Sequence, residues 1–383
     1  MDRAGFGARA SGTLAPTIGG RRAFVPSPLP PAELDLAALS NDLAEASAAV
    51  GELRGIGRVV TNPLLLIRPL QRREAVSSSS MEGTYTTLSD LLLFEAGSSD
   101  SATRHENVEV RNYIQALEGA LASLADLPIS PRLLRAAHAR LLAGVGSHRG
   151  ARVEPGELKR DQNLIGGGGR IESARFIPPP PREAADALDS LMAYVNGWRE
   201  RTMPPLIDAA LVHYQFESIH PFADGNGRVG RMLIALMLAD NGLLPQPFLY
   251  LSPYLERHKD RYIDLMFEVS RAGDWTPWLR FFLDAARASA EQTVEVIERL
   301  RTLERGYREK LQTARTSALM LRIVELAFER PVRSINEIAQ ALDVTYNSAA
   351  NNVNKLVEMG LARDVGSYPR LVIFPEIITA LQG

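Results

Sequence analysis

The residues best suited to chemistry lie in one stretch, 220–231, which reads His-Pro-Phe-Ala-Asp-Gly-Asn-Gly-Arg-Val-Gly-Arg. His220 carries an imidazole that titrates near neutral pH, so it can take a proton from an attacking hydroxyl. Asp224 supplies a hard oxygen ligand, which suits a Mg²⁺ ion that shares phosphate oxygens. A base and a metal ligand this close together predict a catalytic site.

The turn at 225–227 and the segment behind it suit a phosphate group. Glycine and asparagine tolerate positive φ angles, which let successive N–H groups converge on an anion. The run 228–241 has apolar residues at helical spacing, so the turn opens a helix whose N-terminus attracts phosphate. Arg228 and Arg231 lie three apart on this helix and can reach the same polyphosphate. These residue types predict in-line displacement at phosphorus and leave the identity of the diphosphate donor open.

In their order, these residues resemble the signature of Fic domain proteins, His-Pro-Phe-x-x-Gly-Asn-Gly-Arg-x-x-Arg, at every specified position. The resemblance implies transfer of AMP from ATP to a Ser, Thr or Tyr hydroxyl of a target protein, although relatives also use other nucleotides or phosphocholine. It implies that His220 is the general base, that Asp224 holds Mg²⁺ and that Phe222 is a buried anchor. The residues that it assigns to the nucleotide are Gly225, Asn226, Gly227, Arg228 and Arg231.

A second stretch, 72–83, is rich in serine and ends in Met81-Glu82-Gly83. Taken alone, it predicts a flexible linker. Ser78-x-x-x-Glu82-Gly83 also resembles the inhibitory motif that many Fic proteins carry, here N-terminal to the core. The resemblance implies a helix from which Glu82 pairs with Arg231 and takes the place of the γ-phosphate, so that the resting protein is self-inhibited. In some relatives this glutamate positions water for the removal of AMP, and that activity stays open here.

Two further features complete the site that the resemblance implies, which covers residues 30–285. Short extended pieces around a tip of four glycines, 166–169, predict a β-hairpin. In the Fic family this hairpin is the flap, which pairs with the main chain of the target, and Ile165 and Gly166 match it in position. Near the end of the core, Tyr262 is a candidate for the adenine pocket, with a purely structural aromatic as the alternative.

Composition limits the possible location, partners and kinds of site of this protein. The chain has 383 residues, 45% of them hydrophobic, with a net charge of −2 and no cysteine. The absence of cysteine excludes disulfides, thiolate metal sites and a cysteine nucleophile. The balanced charge gives no general attraction to nucleic acid or to an anionic membrane. No apolar run reaches the roughly 18 residues that a bilayer requires. We therefore expect a cytoplasmic protein with no membrane partner.

The predicted fold is mainly α, a Fic-type helical bundle with a β-hairpin flap, followed by a small winged helix-turn-helix. A glycine- and proline-rich start predicts a flexible N-terminal arm. The predicted division is 1–30 for this arm, 31–105 for an N-terminal helical region with the inhibitory motif, 106–285 for the catalytic core, 286–316 for a linker helix and 317–383 for the winged helix.

The C-terminal third leaves alternatives open. Apolar residues at three-four spacing along the linker helix predict packing on a partner helix, in this chain or in a homodimer. Ser334 and Glu337 form a capping box, and Gly366–Ser367 suits the turn of a wing. Residues 317–383 carry six basic against seven acidic residues, which weakens the case for DNA binding. An adenylyltransferase acting on target proteins or on itself is one interpretation, and a DNA-binding transcriptional regulator with a nucleotide-sensing core is the other.

Overall fold

The computed structural model describes residues 6–59, 64–98, 104–145, 154–197, 200, 203–244, 247–314, 317–366 and 369–382. The described chain is mainly helical, as predicted. By contacts it divides into two compact units, Met1–Arg54 with Asn112–Ala290 and Gly55–Arg111 with Glu291–Gly383. This differs from the predicted serial domains, because the segment with Ser78 and Glu82 belongs to the same unit as the C-terminal region.

The elements follow one another without a large sheet. The helices are α1 (Ser40–Val59), α2 (Leu64–Ser80), α3 (Leu88–Glu95), α4 (Arg104–Ser123), α5 (Pro131–Leu141), α6 (Pro181–Asn196), α7 (Pro205–Ile219), α8 (Asn226–Asp240), α9 (Ser252–Arg257), α10 (Lys259–Ala272), α11 (Trp275–Thr313), α12 (Ala318–Glu329), α13 (Ile335–Leu342), α14 (Tyr346–Glu358) and α15 (Pro375–Gln382). The strands are β1 (Gly12–Pro16), β2 (Arg22–Pro26), β3 (Val332–Ser334), β4 (Arg363–Asp364) and β5 (Leu371–Ile373). No helix among these described residues is long and apolar enough to cross a membrane.

The first unit is built around α7 and α8. Both helices are buried over almost their whole length, which is typical of helices at the centre of a core. α7 packs against α6 and α8, and α8 also packs against α5. Proline at the first position starts α5, α6 and α7, because its fixed φ suits a helix and its missing N–H is not needed there. The loop 220–225 therefore joins two helices that the core holds in place.

The N-terminal residues form an antiparallel hairpin, which corrects the prediction of a flexible arm over 1–30. β1 pairs with β2, and Leu14 lies opposite Phe24 in this register. The Phe24 side chain is fully buried, and its backbone N–H donates to the Ile177 carbonyl at 2.8 Å. Composition predicted disorder because the arm alone buries too little apolar surface. Packing on a formed core supplies that burial.

The flap is a narrower hairpin than the sequence predicts. Its arms meet at one bridge, where Ile165 N–H donates to the Phe176 carbonyl at 2.9 Å and Phe176 N–H donates back at 3.1 Å. The tip contains a short 3₁₀ turn, 167–169, and Gly167 has φ 67°. A Cβ on Gly167 would lie 2.2 Å from the Ser173 carbonyl oxygen, so only glycine fits this turn.

In the second unit, the serine run is helical and not a linker. Ser78 and Ser79 lie in the last turn of α2 and are fully buried. α2 packs against α12, α15 and α3, and Arg68 on α2 forms an ion pair with Glu329 at 3.2 Å. Burial against these helices overrides the weak helix propensity of serine.

The C-terminal part of this unit combines three helices with a small antiparallel sheet. α12, α13 and α14 pack against one another, and the sheet has the order β3-β5-β4. The predicted capping box is confirmed, because Ser334 Oγ accepts from Glu337 N–H while the Glu337 carboxylate accepts from Ser334 N–H. Of the predicted wing turn, Gly366 is described and Ser367 lies outside the described residues.

Replacing Phe24 by alanine tests whether the N-terminal hairpin belongs to the folded core. We expect the F24A variant to lose about 3 kcal/mol of unfolding free energy, because a fully buried ring is removed. Urea unfolding of the whole chain measures the loss. The I18A variant is the matched control, since Ile18 in the hairpin turn is 58% exposed and should change stability by less than about 0.5 kcal/mol. Equal stability of the two variants would contradict the hairpin's role.

Candidate active site

His220 ends helix α7 in an unusual backbone conformation. Its φ of 50° and ψ of 60° are left-handed, a region that non-glycine residues seldom occupy and that costs about 1 kcal/mol or more. The ring nitrogen Nδ1 lies 3.4 Å from the Glu217 carbonyl oxygen. A carbonyl oxygen only accepts, so a hydrogen bond at this contact requires the hydrogen on Nδ1 and leaves Nε2 as the basic nitrogen. This tautomer suits a general base.

Asn226 closes the loop that follows His220. Phe222 N–H donates to Asn226 Oδ1 at 2.8 Å, and Asn226 Nδ2 donates to the Phe222 carbonyl at 2.8 Å. The Asn226 side chain thus holds the loop, and the backbone N–H groups of Asn226 and Gly227 stay candidates for the predicted phosphate cradle. Gly225 caps α8 with φ 76°, and its N–H donates to Asp224 Oδ1 at 2.6 Å. Phe222 is fully buried, so the predicted anchor is confirmed.

The two arginines of the motif are buried in the first half of α8. Arg228 is 0% exposed and Arg231 is 4% exposed. Asp224 Oδ2 lies 3.9 Å from Arg228 Nη2, so the loop carboxylate offsets part of this charge. Guanidinium groups buried beside a helix N-terminus make an electropositive site, which is the environment that a polyphosphate requires.

His138 on α5 packs against the loop 220–225. Its Nδ1 accepts from Gly156 N–H at 2.9 Å, so its Nε2 carries the hydrogen and donates to the Asp224 carbonyl at 3.0 Å. The ring also stacks on Phe222 with centroids 4.0 Å apart. Burial lowers the pKa of His138 to about 4, despite the opposing hydrogen bond to Asp224. His138 is therefore a structural residue that packs against the loop 220–225.

Two residues of the flap's first arm, which is the segment that leads up to Ile165, also hydrogen-bond with the loop. Asn163 Nδ2 donates to the Phe222 carbonyl at 2.9 Å. Lys159 N–H donates to the Pro221 carbonyl at 2.9 Å, and Lys159 Nζ lies 3.4 Å from the Ile219 carbonyl oxygen. Sequence reasoning missed both residues, because they come about sixty positions before the groups that they bind.

Gly230 is a further residue whose role was not apparent from the sequence. A Cβ at this position would lie 2.3 Å from Glu217 Oε1 and 3.1 Å from the Phe216 ring. A larger residue would have to displace the Glu217 carboxylate and would crowd the Phe216 ring, so the close approach of α7 and α8 behind the motif favours glycine. The only signal in the sequence is its position between Arg228 and Arg231.

Tyr262, a candidate for the adenine pocket, lies within an aromatic cluster and is 4% exposed. His213 Nδ1 donates to the Gly230 carbonyl at 3.1 Å, so its Nε2 accepts from the Tyr262 hydroxyl at 2.8 Å. Burial, reinforced by the charge of Arg231, lowers the pKa of His213 to about 3. Contact of Tyr262 with adenine stays a prediction.

The remaining predicted residues divide between the two units. Ile165 and Gly166 lie in the flap, Ile165 at its bridge and Gly166 at the start of its tip with φ 76°. Ser78 and Glu82 lie in the second unit, and Glu82 sits in the turn directly after α2. The pairing of Glu82 with Arg231 stays a prediction.

A Mg²⁺ ion fits this site only with a bound phosphate. Within the described ranges, no group of three or more His, Asp or Glu side chains is arranged to hold a metal. Mg²⁺ needs no such cage, since it commonly binds one carboxylate and completes its shell with waters and substrate phosphates. The half-buried Asp224 carboxylate beside the N-terminus of α8 suits that arrangement.

Two family models match this chain, Fic/DOC family N-terminal over residues 40–122 and Fic/DOC family over residues 128–238. The second match contains α5, the flap, α7, the motif loop and most of α8. The chain is a Fic domain protein. The curated proteins that resemble it include protein adenylyltransferase Fic of Drosophila melanogaster, 28% identical over 217 residues, or 56% of this chain and 40% of that protein. The same-named protein of Culex quinquefasciatus is 31% identical over 139 residues, or 36% and 25%.

The chain thus spans between a quarter and two-fifths of the length of these relatives. Solved structures support the Fic fold over a larger part. A Fic family protein from Desulfovibrio desulfuricans has a TM-score of 0.57 and 22% identity, covering 90% of this chain and 98% of its own. Fic-1 from C. elegans has a TM-score of 0.52 and 20% identity, covering 69% and 75%.

Buried His213 makes the stability of this Fic domain protein depend on pH. Its folded pKa is about 3, below the ordinary value of 6.5, so the unfolded chain binds more protons between these values. Unfolding free energy should therefore fall as the pH drops below 6.5, by about 2 kcal/mol at pH 5 for this residue. Urea unfolding at pH 7.5 and pH 5, followed by tryptophan fluorescence, measures the fall.

The variant H213Q should show a fall that is smaller by about 2 kcal/mol, since it lacks the titrating ring. H258Q is the matched control, because His258 is exposed in the same unit. A pH response in H213Q equal to that of H258Q would contradict this origin of the acid sensitivity.

Proposed function

We propose that this protein is a protein adenylyltransferase that moves AMP from ATP to a Ser, Thr or Tyr hydroxyl of a target protein, with Mg²⁺ bound beside the phosphates. The observation that supports it best is the order of the loop, in which His220, with its Nδ1 at the Glu217 carbonyl, is followed along the chain by a helix start that buries Arg228 and Arg231. The relatives named protein adenylyltransferase match the same part of the chain. The target's identity and modification of the protein itself remain open within this proposal.

In this reaction the protein mainly positions the reacting groups and offsets the negative charge of the phosphates. His220 Nε2 takes the proton of the target hydroxyl as its oxygen attacks the α-phosphorus, and pyrophosphate leaves on the far side. The N–H groups of the first turn of α8 bind phosphate oxygens, and Arg228 and Arg231 offset the negative charge of the leaving group. Asp224 would hold Mg²⁺, which would neutralise phosphate charge. The flap, with Ile165 at its bridge and Gly166 at the start of its tip, pairs with the target's main chain.

Glu82 acts as a brake in this proposal. Its carboxylate pairs with Arg231 and takes the space and charge that the γ-phosphate needs, so ATP binds with its phosphates misaligned. Within the second unit, the Glu82 turn is well defined, because Glu82 N–H and Thr84 N–H both donate to the Ser79 carbonyl at 3.0 Å. Ser78 is fully buried in the last turn of α2, which suits a helix that presents this turn.

The C-terminal region fits a winged helix that serves protein contacts better than one that binds DNA. α14 would be the recognition helix, and its exposed residues include Asn347, Asn351 and Lys355. Arg370 at the base of the wing donates to Asp364 at 2.7 Å and to Asn354 at 2.6 Å, so its charge is partly used within the domain. If the protein shifted genomic DNA fragments in a gel at physiological salt, that result would instead favour the regulator interpretation.

The brake predicts that Glu82→Gly raises AMP transfer. We expect at least about a tenfold increase with ATP and Mg²⁺, because the lost carboxylate removes a charge-assisted bond worth more than about 1.4 kcal/mol. Transfer of radiolabelled AMP to the protein itself or to proteins of a cell extract measures the change.

The double variant E82G/H220A is the matched control, and its transfer should fall by at least about a hundredfold. Equal transfer by wild type and E82G would contradict the brake. Equal transfer by E82G and the double variant would contradict His220 as the base.

A further inference from the structure

Lys159 is a buried residue that contacts the main chain on both sides of His220. Its Nζ lies 3.4 Å from the carbonyl oxygen of Ile219, and its backbone N–H donates to the carbonyl of Pro221 at 2.9 Å. Ile219 and Pro221 are the chain neighbours of His220. Lys159 itself is 4% exposed and lies in the first arm of the flap.

A lysine at this position is costly for stability alone. Burial disfavours the ammonium and lowers the pKa of Lys159 to about 7. Methionine has similar length and would fill the space without desolvating a charge. Among the described residues, the hydrogen bond of the Lys159 ammonium goes to the Ile219 carbonyl. A packing role therefore does not explain the choice of residue, whereas a donor for this carbonyl does.

The Ile219 carbonyl needs a donor because α7 stops there. The last carbonyls of a helix have no intrahelical partner, and a positive charge near them is favourable. The left-handed conformation of His220 turns the chain away at this point. Rotation of the peptide between Ile219 and His220 would move the ring and break its 3.4 Å contact with the Glu217 carbonyl. The two carbonyls held by Lys159 thus control the direction of the imidazole.

We propose, on the basis of the proposed function, that Lys159 is a positioning residue for His220, which fixes the left-handed backbone that aims the imidazole at the target hydroxyl. Asn163 and His138 hold the Phe222 and Asp224 carbonyls farther along the loop, so Lys159 has a distinct place. Because Lys159 belongs to the flap arm, the same residue ties the hairpin that receives the target to the base that acts on it.

The test compares K159M, K159Q and K159R in the E82G background. Misplacement of a base lowers the rate of the chemical step more than it lowers substrate binding. We expect kcat for AMP transfer to fall at least about tenfold in K159M and K159Q, with the KM for ATP changed less than about twofold. K159R keeps a cation and its donors and should recover most of the loss. R160M is the matched control, because Arg160 is the next residue, is exposed and pairs with Glu154 on the surface.

A second measurement does not depend on activity. In ¹⁵N-histidine-labelled protein, with the His220 signals assigned by H220A, K159M should change the Nδ1 and Nε2 shifts of His220 and R160M should leave them in place. If E82G transfers no AMP while these shifts change, the proposed function fails and the positioning role stands.

Three outcomes would overturn the positioning role. The first is unchanged kcat and unchanged His220 shifts in K159M. The second is a loss that appears in the KM for ATP with kcat preserved. The third is loss of the folded state in both K159M and K159Q by circular dichroism, which would assign Lys159 to the stability of the whole core.

Discussion

The loop between α7 and α8 places polar main chain inside an apolar core, and the hydrogen bonds to its carbonyl groups constrain the rest of the first unit. A buried carbonyl without a donor costs about 1–3 kcal/mol, so each needs a partner. Lys159 and Asn163 come from the flap, His138 comes from α5, and Asn226 comes from α8. These donors fix the distance from the loop to the flap and to α5. The backbone of the loop is therefore held in place by these hydrogen bonds, and the positions of the charged side chains of the motif depend on it.

Two buried histidines of the first unit make their hydrogen bonds without carrying a positive charge. Each ring offers one donor and one acceptor on opposite sides, provided that it stays neutral. His138 joins Gly156 to Asp224, and His213 joins Gly230 to Tyr262. Burial lowers the pKa of both, so both rings are neutral at physiological pH. Neutral donors near the proposed phosphate site leave its positive charge to the arginines.

Local signals in the sequence predicted local structure well. The capping box at Ser334 was predicted correctly, because it depends on residues within one helical turn. The motif located the loop for the same reason. The N-terminal hairpin and the helical serine run were not predicted from composition, because Phe24 and Ser78 owe their burial to residues far along the chain. The role of Lys159 was hidden for that reason too, since it binds carbonyls sixty residues away.

In the second unit, the contacts of α2 and of the turn after it affect how Glu82 would withdraw in the proposed mechanism. Ser78 and Ser79 are buried where α2 packs on other helices, so moving the whole helix exposes that interface to water. The turn behind it includes hydrogen bonds to the Ser79 and Ser80 carbonyls, and Gly83 supplies a φ of 84° without strain. Thr84 then donates to Glu109 at 2.9 Å and fixes the chain again. Glu82 thus lies on a short hinge between two anchored points. Withdrawal of its carboxylate by a change confined to Glu82 and Gly83 would keep the buried contacts of α2 and of Met81, which is 6% exposed.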